Sequence, residues 1–276
     1  MRFQKSLNIL TLTLVLFFSL SSYQIQLAEA GLTEADEAKL LFDSGKTDKA
    51  LKILKRVWQR DKTYGAGVGY AYYLGVANKV PESIQIFETV IEQYPREKAA
   101  DLELAILLKR ENRLSDAEIV LKRLYLRRPK DIQAVKEYAG ILLGQKKIDD
   151  ALDLLNSFRP KKSDQFDYLG IYGAAQFEAQ NYEKALEAYL QLVAIDPTII
   201  DFHLSVGKCY RKLKAFDEAA IFYAKLKMLF PDNGDPWFEN GALFLDIQEM
   251  DNAKDEFKEA KIIFQSQNRI DRANIA

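Results

Sequence analysis

The side chains that could do chemistry in this chain are few and scattered. His203 is its only histidine and Cys209 its only cysteine. A metal site needs several ligands, and a nucleophilic triad needs a base beside its nucleophile, so one histidine without partners supplies neither. Both residues fall on one predicted helix. There the imidazole reads as filling a packing slot and the thiol as a small hydrophobe. With one cysteine, no internal disulfide can form. Gly65, Gly67 and Gly69 are spaced G-x-G-x-G. No strand precedes them and the run lies inside a predicted helix, so it reads as a loosened or closely packed helix and not as a phosphate cradle. Asp167, Asp201 and Asp235 recur every 34 residues. They could form an acidic ladder for a cation or a basic peptide, but helix capping is the favoured reading, with Asp235 an N-cap before Pro236. Lys122, Arg123, Arg127, Arg128 and Lys130 make a basic run with few acids nearby, read as a solvated outer helix face and not as a site for an anionic partner. No acid–base constellation stands out, so the chain is expected to be non-enzymatic, with no cofactor and no metal.

Charge narrows the partners. Across 276 residues, 39 Lys and Arg face 40 Asp and Glu. A general nucleic-acid binder needs a basic surplus to displace counterions, so nucleic acid is not expected. An anionic membrane surface gains no support either. The hydrophobic share, 48%, is ordinary for a folded protein.

The elements that position these side chains follow from a repeat. A small residue recurs at Ala50, Ser83, Ala117, Ala151, Ala185, Ala219 and Ala253. The spacing is 33 residues once and 34 thereafter, the length of one helix–turn–helix unit. With these residues at position 20, the repeats begin near 31, 64, 98, 132, 166, 200 and 234. Position 8 is then Ala38, Ala71, Ala105, Ala139, Gly173, Gly207 and Gly241. Small side chains at 8 and 20 mark where helix A of each repeat approaches helix B. Position 24 is large throughout, as in Leu54, Phe87, Leu121, Tyr189 and Phe257. Positions 20, 24 and 27 share one helical face. Pro95, Pro129, Pro197 and Pro231 occupy position 32, where they stop helix B. In the fourth repeat Pro160 arrives early, followed by polar Lys161-Lys162-Ser163-Asp164. Helix B there should end near Phe158, and a bend or flexible joint is expected between repeats one to four and five to seven.

This pattern resembles the tetratricopeptide repeat family. The last unit, with Trp237, Gly241, Phe244, Ala253, Phe257 and Ala260, and the sixth, with Gly207, Tyr210, Ala219, Tyr223 and Pro231, match most closely. The first departs, with Glu34 and Glu37 at positions usually apolar. The resemblance covers residues 31–267. It implies an all-α, right-handed superhelical solenoid of about seven helix–turn–helix repeats, whose concave groove is lined by the A helices and binds a protein or peptide. Lys254 and Lys261, with Asp255 and Glu256, give the last repeat the polar outer face a terminal repeat needs. At the other end Thr33, Glu34 and Asp36 read as a helix start.

Positions 2, 5, 9 and 12 of helix A project to one side, and the resemblance makes that side the groove. The candidate partner-binding residues are therefore Lys39, Phe42, Tyr72, Ile106, Lys109, Lys136, Phe177, Lys208 and Arg211, with Phe238 adding an aromatic. They mix apolar patches with isolated cations, suited to an extended segment or a helix. Family members that clamp a C-terminal carboxylate carry asparagine at position 9, and no repeat here does. The expected function is an interaction scaffold or assembly adaptor. The alternative is an envelope polysaccharide-binding or export accessory module, stacking sugars on Phe42, Tyr72 and Phe177.

The first thirty residues read separately. Arg2 and Lys5 precede a short apolar run from Leu7 to Leu20, and Ala28-Glu29-Ala30 forms an A-x-A cleavage site before Gly31. The run is shorter than a membrane span, so 1–30 reads as a signal peptide and the protein as exported, periplasmic or secreted, with no membrane segment after cleavage. Residues 268–276 read as a polar tail.

Overall fold

The computed structural model describes residues 33–267 and Arg272. The expected signal peptide, 1–30, and the tail apart from Arg272 lie outside the described residues. Among those described there are fourteen α-helices and no strand. They are α1 (Glu34–Asp43), α2 (Thr47–Asp61), α3 (Tyr64–Val76), α4 (Val80–Gln93), α5 (Ala99–Arg110), α6 (Leu114–Arg127) and α7 (Ile132–Gly144). There follow α8 (Ile148–Ser157), α9 (Gln165–Glu178), α10 (Tyr182–Ile195), α11 (Ile200–Lys212), α12 (Phe216–Leu229), α13 (Asp235–Asp246) and α14 (Met250–Ser266). Odd-numbered helices are the A helices of the repeats and even-numbered ones the B helices. The chain is an all-α solenoid, as its period predicts.

It divides into two compact units, with the boundary between Arg113 and Leu114. In the first, α3 packs on α2 and α4, and α5 packs on α3 and α4. In the second, α9 packs on α7, α8 and α10, and α13 packs on α11, α12 and α14. Thus α3, α9 and α13 each meet the preceding repeat as well as their own partner helix.

Sterics fix how closely A and B approach. The small residues at position 20 are fully buried or nearly so in every repeat. Ser83, the one hydroxyl among them, donates to the carbonyl of Ala71 at 2.6 Å, so its burial leaves no polar group unpaired. Repeats five to seven pair glycine at position 8 with an aromatic ring at 24. A Cβ at Gly173 would lie 2.9 Å from the Tyr189 ring and one at Gly241 2.8 Å from Phe257. The first and fourth repeats reach the same end with alanine at position 8 and leucine at 24. Gly67 is closely packed too, since a Cβ there would lie 2.8 Å from Trp58, whereas Gly65 and Gly69 face open space.

The turns repeat as faithfully as the cores. Position 15 has positive φ in all seven A–B turns, at Gly45, Asn78, Asn112, Lys146, Gln180, Lys214 and Gln248. The next residue's N–H reaches back five residues into helix A, as from Asn181 to Gln176 at 2.8 Å and from Glu249 to Phe244 at 2.8 Å. These bonds satisfy carbonyls that a helix end would otherwise leave orphaned. The B helices α4, α6, α10 and α12 each stop two residues before the position-32 proline.

Two expectations need correction. The position-2 aspartates are not N-caps. The side-chain caps are Thr33, which forms a capping box with Asp36, then Thr63 on α3 and Asp131 on α7. Asp167, Asp201 and Asp235 lie inside the first turns of α9, α11 and α13, where a negative charge still favours the helix dipole. The joint at Pro160 is also filled. Helix α8 does end at Ser157, but Phe158 is buried in one core with Val135, Leu155 and Ala175, on which Tyr168, Ile171 and Tyr172 of α9 pack. The Phe158 and Tyr168 rings are 6.1 Å apart, Tyr168 stacks on Tyr172 at 5.4 Å, and the Tyr168 hydroxyl donates to Leu155 at 3.3 Å. Aromatic side chains replace the missing turn of helix. The first repeat's departures are likewise compensated, since Glu34 pairs with Arg60 at 2.7 Å and draws in Arg56.

Candidate functional site

In the first unit, three large apolar side chains of α3 and α5 remain outside the core and lie together. Tyr72 and Val76 on α3 and Ile106 on α5 are 47%, 44% and 53% exposed. They surround a solvent-open pocket of about 300 Å³ floored by Ser83, Phe87 and Leu107. Glu103 and Arg110 add opposite charges to its rim. Gly75 keeps it open, for a Cβ there would lie 3.2 Å from the Ser83 hydroxyl and 3.3 Å from Leu107. Arg110 is held in place, donating from Nη2 to the carbonyl of Gly75 at 2.8 Å. Tyr72 lies edge-on to Tyr73 at 5.4 Å, and Phe42 packs on the same Tyr73 at 4.8 Å. Lys39 and Lys109 are exposed.

The second unit has its own pocket of about 440 Å³, lined by Lys136, Phe166, Asp167, Gly170, Ile171 and Phe202. All come from the A helices α7, α9 and α11. The rings of Phe166 and Phe202 meet edge to face at 5.5 Å, and Lys136 donates to Asp167 at 2.7 Å. Phe177 is partly withdrawn, packing on the core and on Tyr182 at 5.3 Å.

Lys208 and Arg211 are not the free ionic anchors the sequence reading takes them for. Lys208 pairs with Glu239 at 3.1 Å. Arg211 donates to Glu239 at 2.9 Å, to Asp246 at 2.9 Å and to the carbonyl of Ala242 at 3.2 Å. Burial opposes the Arg211 charge, but the hydrogen bond to Asp246 and the carboxylates around it prevail, and its pKa is raised. Both side chains therefore tie α11 to α13.

The remaining candidates are structural. His203 is buried between Phe222 and Phe230, with Nε2 at 2.9 Å from the carbonyl of Pro197. Cys209 is fully buried and desolvation pushes its thiol up to about 12. In the basic run Lys122 and Lys130 are exposed, as expected, but Arg123, Arg127 and Arg128 are half-buried. Among the described residues, no group of three or more His, Cys, Asp or Glu could hold a metal ion, and no helix is long and apolar enough to cross a membrane.

The sequence reading found Tyr72, Ile106 and Lys136 but missed Val76, Glu103, Arg110, Phe166 and Phe202. These occupy positions 1, 3, 6 and 13, beside the single stripe taken as the groove. Pockets form between A helices of successive repeats, so residues flanking the stripe line them as well.

A solenoid of helix pairs with exposed apolar pockets on its A helices is a protein-interaction scaffold. Tetratricopeptide repeat models match residues 77–137 and, in overlapping segments, 139–198 and 175–236. The chain belongs to the tetratricopeptide repeat family. No curated protein sequence matches it. Among solved structures it is similar to a tetratricopeptide repeat protein from Parabacteroides merdae ATCC 43184, at 12% identity over 87% of this chain and 96% of that one, with a TM-score of 0.63. It is also similar to MamA, at 17% identity over 60% of this chain and 97% of that one, with a TM-score of 0.50. At such identities the likeness concerns the fold.

Proposed function

We propose that this protein is an exported, non-enzymatic adaptor that holds a peptide segment of a partner against its A helices. The observation that carries this reading is the ring of Tyr72, Val76 and Ile106 around an open pocket. Large apolar side chains left exposed around a concavity mark a binding surface. Lys39, Phe42 and Lys109 extend that surface, and Lys136 borders the second pocket. Phe177 is set back and Lys208 and Arg211 serve structure. Phe42 and Phe177 are half-buried whereas Tyr72 is exposed, which leaves Tyr72 as the available stacking platform and favours a peptide over a polysaccharide.

A photo-crosslinking residue at Tyr72 or Ile106 should capture a discrete protein partner in cells, and Ile106→Asp should abolish capture while circular dichroism stays unchanged. Equal capture by Ile106→Asp would reject the site. Export is tested by N-terminal sequencing, which should begin at Gly31. Met1 retained in a membrane fraction would reject cleavage.

A further inference from the structure

The position-2 aspartates of repeats five, six and seven are not equivalent in their surroundings. Asp167 receives Lys136 from the preceding A helix at 2.7 Å. Asp235 receives Arg272, from beyond the last repeat, whose guanidinium also lies over Phe238 at 5.0 Å and Phe264 at 5.5 Å. Asp201, between them, is exposed and has no cation of its own among the described residues.

The register says where its cation would stand. Lys136 precedes Asp167 by 31 residues, and the residue 31 before Asp201 is Gly170. A Cβ at Gly170 would meet nothing within 4 Å. The space that a lysine stem fills one repeat earlier is open here, and the rings of Phe166 and Phe202 border it. The charged residues that line this pocket, Lys136 and Asp167, neutralise each other, and Asp201 immediately precedes its Phe202 on α11.

We propose that the pocket bordered by Phe166, Gly170 and Phe202, beside Asp201, takes an arginine side chain of a bound peptide. A guanidinium offers a planar face to an aromatic ring and paired donors to a carboxylate at once, which an ammonium cannot match. Arg272 makes this same combination with Asp235, Phe238 and Phe264. The proposal rests on the peptide-binding reading and adds a residue preference to it.

The probe is the pentapeptide acetyl-Ala-Ala-Arg-Ala-Ala-amide, compared with the same peptide carrying neutral citrulline. In ¹⁵N–¹H spectra of the mature chain the arginine peptide should shift the amides of Gly170, Asp201 and Phe202, and citrulline should bind roughly tenfold more weakly or less, the loss of one charge-assisted hydrogen bond. Asp201→Asn should weaken the arginine peptide by a similar factor. Gly170→Lys should do the same by supplying the cation internally, without lowering the melting temperature, because lysine favours a helix interior over glycine. Gly170→Ala should still bind. Equal affinity for the two peptides, or for wild type and Asp201→Asn, overturns the proposal, as do shifts confined to other residues. Capture from Tyr72 separates the two readings. A partner captured without any arginine-dependent shift at Gly170 removes the subsite alone. An arginine-dependent shift without capture removes the scaffold reading centred on Tyr72.

Discussion

Gly207 and Tyr223 show how little freedom the core leaves a single residue. Tyr223 is fully buried, and a Cβ at Gly207 would overlap its ring. Gly207→Ala should therefore destabilise by about 1–3 kcal/mol, as overpacking does, whereas Gly170→Ala, facing open space, should stabilise by about 0.5–1 kcal/mol through helix propensity. Thermal melts of the two variants separate them, and equal shifts would refute the packing account. The two groove cations part company in the same way. Arg211 bonds to buried Glu239, to Asp246 and to the Ala242 carbonyl, so Arg211→Ala breaks three contacts and leaves Glu239 only the half-exposed Lys208, and it should cost about 3 kcal/mol. The Lys208 side chain is 44% exposed, and Lys208→Ala should cost no more than about 1 kcal/mol. Urea titrations giving equal losses would show that the ion pairs matter less than packing. These partners were in principle legible, since positions 9 and 12 of one repeat meet positions 6 and 13 of the next. Reading each repeat alone hid them.

Cys209 carries a pH prediction. Its thiol ionises at an ordinary value of 9.0 when exposed, and burial pushes it up to about 12. The folded state thus holds the proton that the unfolded state releases. The neutral thiol's contribution is fully present below pH 9 and is lost as pH rises from 9 towards 12. Cys209→Ala should flatten the alkaline fall in stability over that window relative to wild type. A thiol reagent at pH 8 should modify the wild-type protein only when denaturant is added. Rapid labelling of the native chain would contradict the burial.

At the scale of the element, the A–B turn was only half legible. Gly45, Asn78 and Asn112 are residues that tolerate a left-handed backbone, and they mark position 15 in the first three repeats. Lys146, Gln180, Lys214 and Gln248 hold the same conformation without that signal, because the hydrogen bond back into helix A and the packing of both helices override local preference. Gln180 has φ 61° and no β-carbon tolerance to offset it. Gln180→Gly should therefore stabilise by about 0.5–1 kcal/mol, the strain relieved exceeding the entropy glycine adds to the unfolded chain. A rise in the urea midpoint at unchanged slope would bear this out, and a fall would show that the glutamine makes contacts worth more than the strain. Helix identity and helix ends, by contrast, were plain, since the small residues at 8 and 20 and the prolines at 32 act through sterics that no distant contact can reverse.

At the scale of the whole molecule, the period told the fold but not how the joint after α8 is packed. Proline at 160 shortens α8, and the polar run after it suggests a loose joint. The compensation comes from Tyr168, of the next repeat, whose ring packs on Phe158, and from Tyr172, which stacks on Tyr168, and nothing in the local sequence links them to that task. In a solenoid each repeat is held by its neighbours, so opening at one interface is a local event with its own free energy. Residues 155–170 should accordingly exchange their amides as slowly as the flanking helices do. Tyr168→Ala removes the ring that stacks on Tyr172 and packs against Phe158, and the bond to Leu155. Losing one or two kcal/mol at this interface raises the open population by about 5–30-fold, and cleavage of a transiently opened site follows that population. Trypsin should then cut at Lys161 or Lys162 in Tyr168→Ala, releasing a folded piece of three repeats, at conditions where the wild-type chain resists. If wild type and variant are cut there at the same rate, the aromatic stack is not what closes the joint.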